Sequence, residues 1–439
     1  MTLHTPTTRP KGLVIAAPNS NTGKTVFTMG LASALHSRGQ SVEVAKGGPG
    51  YIDPQFLSLA TGRPCHNLDK WALGPDQLRA RAHEIAGPHD LLLIEGMMGM
   101  FDGAASLSGS TADVAATLDL PVLLLIDASG LAQSIAAIVH GFATLQREPR
   151  ICGVVATRVG SPGHANILRE ALNGSDIPFL GAVLRSDKLT VPSRHLGLVQ
   201  ATERDEPNDL AEAAREAVLS GVDLDALLRV AGEVAPAAAP VRIPPLGQRI
   251  AVARDVAFGF AYPHILEDWR AQGAEISTFS PLANEAPRSD CDAVYLPGGY
   301  PELHAGKLAQ AQRFFAGLQA AADRGTRIYG ECGGYMVLGT ALVDADGKSH
   351  GMANLLDHVT SFASRKMHLG YRTLRPQQDD IWKTPLRGHE FHFSVLEEPG
   401  TDMPLFQQSD ARGIDLGMLG GRRGSVMGSY AHIIDQAPT

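Results

Sequence analysis

Short apolar runs recur along the first half of the chain, and stretches of helical character separate them. Leu13-Val14-Ile15-Ala16-Ala17, Leu91-Leu92-Leu93-Ile94, Val122-Leu123-Leu124-Leu125-Ile126 and Gly153-Val154-Val155-Ala156 read as strands. Strands this continuously apolar, alternating with helices, predict a parallel sheet buried on both faces. From Gly232 to Gly247 the pattern breaks, with Pro236, Pro240, Pro244 and Pro245 set among alanines. That stretch predicts a linker over 233–247. The rhythm then restarts with Arg249-Ile250-Ala251-Val252-Ala253, Ala293-Val294-Tyr295-Leu296-Pro297 and Arg327-Ile328-Tyr329. Two α/β domains are expected, over 1–232 and 248–439, with no internal repeat.

Composition narrows the class. A chain of 439 residues exceeds one ordinary domain. Hydrophobic residues at 44% and charged residues at 19% suit a well-cored globular protein. A net charge of -8 argues against a nucleic-acid or anionic-membrane surface. The four cysteines, Cys65, Cys152, Cys291 and Cys332, lack metal-ligand spacing and predict free thiols in a reducing compartment. No signal-peptide core opens the sequence, and no apolar run approaches the roughly 20 residues of a membrane span. A cytoplasmic protein is expected.

The first strand runs into Pro18-Asn19-Ser20-Asn21-Thr22-Gly23-Lys24-Thr25, and a helix-like segment follows. Strand, loop, Gly-Lys-Thr and helix form a phosphate cradle. Ser20, Asn21, Thr22 and Gly23 would offer backbone N–H groups, Lys24 a charge to the β and γ oxygens, and Thr25 a hydroxyl to Mg²⁺. Pro18 replaces the usual first glycine, which resembles the variant loops of dethiobiotin-synthetase-like ATPases. A Mg²⁺-nucleotide site also needs carboxylates, and Asp53, Glu95 and Asp102 are the candidates. Glu95 ends an apolar run, on the edge where parallel sheets bind ligands.

Gly330-Glu331-Cys332-Gly333-Gly334 sits between a strand-like and a helix-like segment. A cysteine at such a corner resembles a nucleophile elbow, and a helix N-terminus behind it favours thiolate. Its three neighbouring glycines point to unusual backbone freedom. The base is a histidine from elsewhere: His432, expected to end a late strand, or His389 or His392. Gly298 and Gly299, after Leu296-Pro297, could bind an oxyanion together with the amide of Gly333.

With both halves in view, the chain resembles the a,c-diamide synthases of cobalamin biosynthesis. The segments that carry the likeness include Ser20 to Thr25, Tyr51-Ile52-Asp53-Pro54, Asn67-Leu68-Asp69 and Glu95-Gly96 through Asp102-Gly103. They continue with Pro192 to Val199, Leu296 to His304, Cys332 to Met336, Leu369 to Arg372, Gly388 to His392 and Gly428 to Tyr430. The resemblance implies a P-loop, dethiobiotin-synthetase-like synthetase domain joined to a class I glutamine-amidotransferase-like domain. It implies hydrolysis of glutamine at Cys332 through a thioester, with His432 as activating histidine. Ammonia would pass internally to a carboxylate of hydrogenobyrinic or cobyrinic acid that ATP has phosphorylated. Thr25, Asp53 and Glu95 are implied as Mg²⁺ ligands, Tyr51 and Asp102 as substrate or intermediate contacts, and a homodimer as the assembly.

The chain also departs from the family. Gly50 stands where an Asp precedes Tyr-Ile-Asp-Pro in relatives, and Leu57 stands where a histidine is often found. Val256 replaces a common Glu, and Ile434 occupies the place where other glutaminases carry the triad acid. The lost carboxylate at Gly50 leaves three readings: compensation by a neighbour, an altered substrate such as a nickel-sirohydrochlorin, or a nucleotide-binding paralogue with impaired synthesis. A partitioning-type ATPase would leave Cys332 and the second domain without purpose. Cobyric acid synthase shares both modules, but Tyr-Ile-Asp-Pro and Pro-Ser-Arg-His-Leu-Gly favour the diamide enzyme.

Overall fold

Apolar strands with no polar face must be covered by helices on both sides, and the first half of the chain is built that way. The computed structural model describes residues 9–106, 108–146, 148–190, 193–194, 197–198, 207–378 and 381–438. Two compact units divide it, Met1–Val241 and Arg242–Thr439. Within the segment Pro192 to Val199, positions Pro192, His195, Leu196 and Val199 lie outside the described residues.

The first unit carries an eight-stranded sheet. Seven strands run parallel in the order His66–Leu68, Val42–Gly47, Leu91–Glu95, Lys11–Ala16, Val122–Asp127, Ile151–Val159 and Phe179–Leu184. Lys11–Ala16 is central, and its last residues stand beside the end of Leu91–Glu95, with Ile15 opposite Glu95. Val14, Leu92, Ile94, Leu124 and Val154 form the heart of the core. Gly232–Glu233, expected to border a linker, pairs antiparallel with Lys11 and Gly12 as the eighth strand. From Val234 to Gly247 no strand or helix forms.

The second unit opens with a six-stranded sheet ordered Glu275–Phe279, Arg249–Ala253, Ala293–Leu296, Arg327–Glu331, Val426–Ser429 and Gly421–Arg423. Its first five strands are parallel, and the last is antiparallel. Much of the remainder is antiparallel, which the sequence reading did not anticipate. A five-stranded sheet orders Asp415–Leu419, Phe406–Ser409, His368–Pro376, Leu386–His392 and His432–Gln436. His432 therefore does not end a strand. It opens one, with Tyr430 and Ala431 between it and the end of Val426–Ser429 in the parallel sheet.

Candidate active sites

In the first unit, strand Lys11–Ala16 delivers the loop Pro18 to Gly23 to helix Lys24–Ser37. Gly23 caps the helix in the left-handed region at φ 88°, where a side chain would be strained. The loop's backbone N–H groups have the start of that helix behind them. Lys24 is buried, and its Nζ donates to the Met98 carbonyl at 2.6 Å and to the Asn19 carbonyl at 3.2 Å. Burial first and then the Lys46 charge lower its pKa to about 8, against the opposing charges of Glu95, Asp53 and Asp102.

Thr25, Asp53 and Glu95 come together. Thr25 Oγ1 donates to Glu95 Oε1 at 2.7 Å. Glu95 ends its strand as expected, and Asp53 opens helix Asp53–Thr61. Lys46, which sequence reasoning did not assign, bridges the two carboxylates. Its Nζ lies 2.7 Å from Asp53 Oδ2 and 3.1 Å from Glu95 Oε1. Burial works against its ammonium, yet Asp53 and Glu95 outweigh that and raise its pKa above the ordinary lysine value. The missed signal was a lysine inside the otherwise apolar end of strand Val42–Gly47, where a buried charge requires a partner.

These residues suit a magnesium ion. Glu95 Oε2 is buried and accepts no hydrogen bond among the described residues. It stands on the residue that also engages the Thr25 hydroxyl. No group of three or more His, Cys, Asp or Glu forms a metal cluster among the described residues. A hydroxyl and one or two carboxylates, completed by phosphate oxygens and water, is the donor set that Mg²⁺ takes in nucleotide sites.

Asp102 and Glu95 do not cap the following helix. Ser110 does that, in a capping box with Asp113. Asp102 Oδ2 accepts from Gly99 N–H at 2.9 Å and so braces the turn in which Met98 adopts φ 44°. Tyr51 is buried beside Gly50. Asn67 Nδ2 holds that loop by donating to the Gly48 and Gly50 carbonyls, each at 2.8 Å. A Cβ on Gly50 would meet Lys46 Cε at 3.6 Å and Asp53 Oδ2 at 3.8 Å, both ordinary contacts.

In the second unit, strand Arg327–Glu331 ends at Cys332, which precedes helix Gly333–Leu338. Cys332 itself adopts φ 48° and ψ -107°, a strained torsion for a residue with a side chain. Its N–H donates to the Ser429 carbonyl at 2.8 Å and ties the corner to the neighbouring strand. The flanking glycines do not carry the unusual torsion. They permit close approach: a Cβ on Gly334 would fall 1.9 Å from the Leu296 carbonyl oxygen. The thiol is not poised as a thiolate. Burial raises its pKa, the Glu302 charge adds to the rise, and the Gly333 N–H opposes it without prevailing.

His432 is completely buried and meets Cys332 over Gly298. A Cβ on Gly298 would lie 2.3 Å from His432 Cε1, 2.9 Å from His432 Nε2 and 3.2 Å from Cys332 Cβ. Burial first, then the charges of His389 and His392, lower the His432 pKa to about 3. The imidazole is therefore neutral and able to accept a proton. Gly333 packs against Gly299, since a Cβ on Gly333 would sit 3.1 Å from the Gly299 nitrogen. Their two amides occupy one corner beside Cys332, as an oxyanion pocket requires.

His389 lies opposite His432 across the strand pair, and burial lowers its pKa to about 3. His392 stacks on Tyr430 with ring centroids 3.9 Å apart. Glu390 binds Arg372 and His392. Glu331, also unassigned from sequence, is buried beside His432, with Oε2 3.9 Å from Nδ1.

Comparison with known proteins agrees with both halves. Residues 13–199 match the CobQ/CobB/MinD/ParA nucleotide binding domain, and residues 249–438 match the CobB/CobQ-like glutamine amidotransferase domain. The chain is 51% identical over 429 residues to a hydrogenobyrinate a,c-diamide synthase of Sinorhizobium sp, covering 97% of this chain and 99% of that one. It is 50% identical to the synthase of that name from Rhizobium meliloti (strain 1021), covering 97% and 99%. The corresponding values for the Mesorhizobium japonicum synthase are 47%, 97% and 99%. With this identity over nearly the whole length of both chains, the protein belongs to the hydrogenobyrinate a,c-diamide synthase family.

Proposed function

We propose that the chain amidates the a and c side-chain carboxylates of hydrogenobyrinic acid, using ATP and glutamine. The observation that carries the reading is the meeting of Cys332 and His432 over Gly298, on a chain that also holds a phosphate loop beside two carboxylates. Cys332 Sγ attacks the glutamine carboxamide carbon, and His432 takes the thiol proton and returns it to the departing nitrogen. The amides of Gly299 and Gly333 receive the oxyanion. Water then hydrolyses the thioester and frees glutamate.

The released ammonia serves the synthetase unit. There Ser20 to Thr25 and Lys24 bind ATP, whose γ-phosphoryl goes to a substrate carboxylate. Ammonia displaces phosphate from the acyl phosphate. Thr25, Asp53 and Glu95 would hold Mg²⁺, which offsets phosphate charge when bound. Lys46 supplies a further fixed cation where two negative groups must approach. Asp102 and Tyr51 border the substrate, and the working assembly is a homodimer in the cytoplasm.

Mass spectrometry of products tests the reading. With ATP, Mg²⁺ and glutamine, hydrogenobyrinic acid should gain two amides, and cobyrinic acid should be the poorer substrate. Conversion of a nickel-sirohydrochlorin but of neither corrin acid would overturn the substrate assignment. Cys332→Ser should lose glutamine-driven amidation and keep ammonia-driven amidation.

A further inference from the structure

From the arrangement around His432 we infer that Glu331 is the carboxylate that orients this imidazole for glutamine hydrolysis. The inference rests on the proposed pairing of Cys332 with His432. Position 434, two residues after the histidine, carries an isoleucine. The Phe260 backbone bonds the ring, and a carboxylate to balance the imidazolium must come from another position.

Glu331 has the placement. It is the last residue of strand Arg327–Glu331, one residue before Cys332. Both its side chain and that of His432 are sealed from solvent. Glu331 Oε2 lies 3.9 Å from His432 Nδ1, while the Cε1–Nε2 edge of the ring faces Gly298 and Cys332. One nitrogen thus addresses the carboxylate and the other the thiol side. Such contacts are often long at rest and tighten as the reaction complex forms.

The carboxylate is itself immobilised. Tyr295 Oη donates to Oε2 at 2.7 Å, and Tyr329 Oη donates to Oε1 at 3.1 Å. The Ile433 N–H donates to Oε1 at 3.1 Å, which binds Glu331 to the residue that follows His432. Tyr295 and Tyr329 stack with centroids 6.0 Å apart, so their hydroxyls present a fixed pair of donors. Three donors to one buried carboxylate set its direction, and they oppose without cancelling the burial that raises its pKa to about 7.

The proton inventory closes. The Cys332 proton moves to His432 Nε2 as the S–C bond forms. It leaves with the amide nitrogen as the C–N bond breaks. Glu331 takes no proton. It favours the tautomer with hydrogen on Nδ1 and stabilises the imidazolium that exists between the two transfers. Glu331 is a positioning residue, since it acts through His432.

Glu331→Gln tests the assignment in the full-length enzyme. The glutamine-driven kcat should fall at least about 10²-fold, with KM for glutamine and ammonia-driven amidation little changed. Nitrogen-15 NMR of labelled histidine should show His432 held as the Nδ1–H tautomer in the parent and as a mixture in the variant. A glutamine-driven kcat within about twofold of the parent overturns the inference. So does an equal loss of both activities with the tautomer unchanged, because that is the signature of a merely structural tether. If Glu331→Gln does not fold, Tyr329→Phe removes one restraint and should lower the glutamine-driven kcat severalfold. An unchanged value again counts against Glu331. Cys332→Ser separates the two levels: if it retains glutamine use, the Cys332–His432 pairing itself is wrong, whatever Glu331→Gln does.

Discussion

Lys46 Nζ stands 3.1 Å from Glu95 Oε1 in a place where the lysine side chain is 4% exposed and the glutamate 1%. Breaking a buried pair by removing one partner leaves the other charge uncompensated and costs roughly 3–5 kcal/mol. Lys46→Met should therefore lower the melting temperature, and Mg²⁺ should restore more stability to the variant than to the parent. Thermal unfolding with and without Mg²⁺ reads this. Equal Mg²⁺ effects on both proteins would show that Asp53 and Glu95 are not the metal's carboxylates.

Gly50 marks the chief departure from relatives, and its surroundings permit the missing side chain. A Cβ there makes only ordinary contacts with Lys46 and Asp53. Gly50→Asp should change stability by less than about 1 kcal/mol, the range of substitutions that neither clash nor bury an unpaired group. It should also lower the Mg²⁺ concentration for half-maximal activity, because it adds an oxygen donor beside the site. A Mg²⁺ titration decides whether the departure affects metal handling at all.

A Cβ on Gly298 would occupy the space of the His432 ring edge. Gly298→Ala should displace the imidazole and depress glutamine-driven turnover at least about tenfold, since a misplacement near 1 Å is already costly to catalysis. Ammonia-driven amidation, which bypasses Cys332, should remain. Parallel assays with the two nitrogen sources check this.

The Cys332 thiol is raised by burial, and its base is neutral. Alkylation of Cys332 by iodoacetamide should be slower near neutrality than that of an ordinary thiol, and should climb with pH past the usual thiol pKa of about 8.5. A reactivity plateau below pH 7 would instead reveal a resting thiolate–imidazolium pair.

Stability should fall in acid through His389 and His432. Both titrate at about 3 in the folded chain, below the 6.5 of an ordinary imidazole. Between those values the unfolded chain binds protons that the folded chain refuses. Their contribution is complete above about 6.5 and is lost as pH falls toward 3. Glu331 acts in the opposite sense, because burial raises its pKa from 4.5 to about 7. Its ionisation costs stability as pH rises through that window. Denaturant unfolding from pH 4 to 8 of the parent and of a double His389→Gln, His432→Gln variant should show a shallower acid loss in the variant.

The phosphate loop and the Cys332 corner were legible in the sequence because each is a contiguous strand-turn-helix signal. Lys46 and Glu331 were not. Lys46 is defined by carboxylates 7 and 49 residues away along the chain. Glu331 looked like part of the cysteine's turn, and its role depends on a strand more than 100 residues later. The antiparallel sheets were missed for a related reason. Strand Asp415–Leu419 is exposed at Asp415, Leu416, Gly417 and Met418, so its apolar positions do not report a buried face.

Glu331 and Cys332 are consecutive residues, so the backbone positions that carry the orienting carboxylate and the nucleophile are fixed relative to each other by covalent geometry and one strained torsion. Of nucleophile, carboxylate and base, it is the histidine that comes from a distant strand, and the same carboxylate fastens the residue beside it. Bringing the base to the nucleophile and carboxylate thus depends on the seating of strand His432–Gln436. Loosening of that single strand would silence ammonia release while leaving the nucleotide loop, built in the other unit, intact.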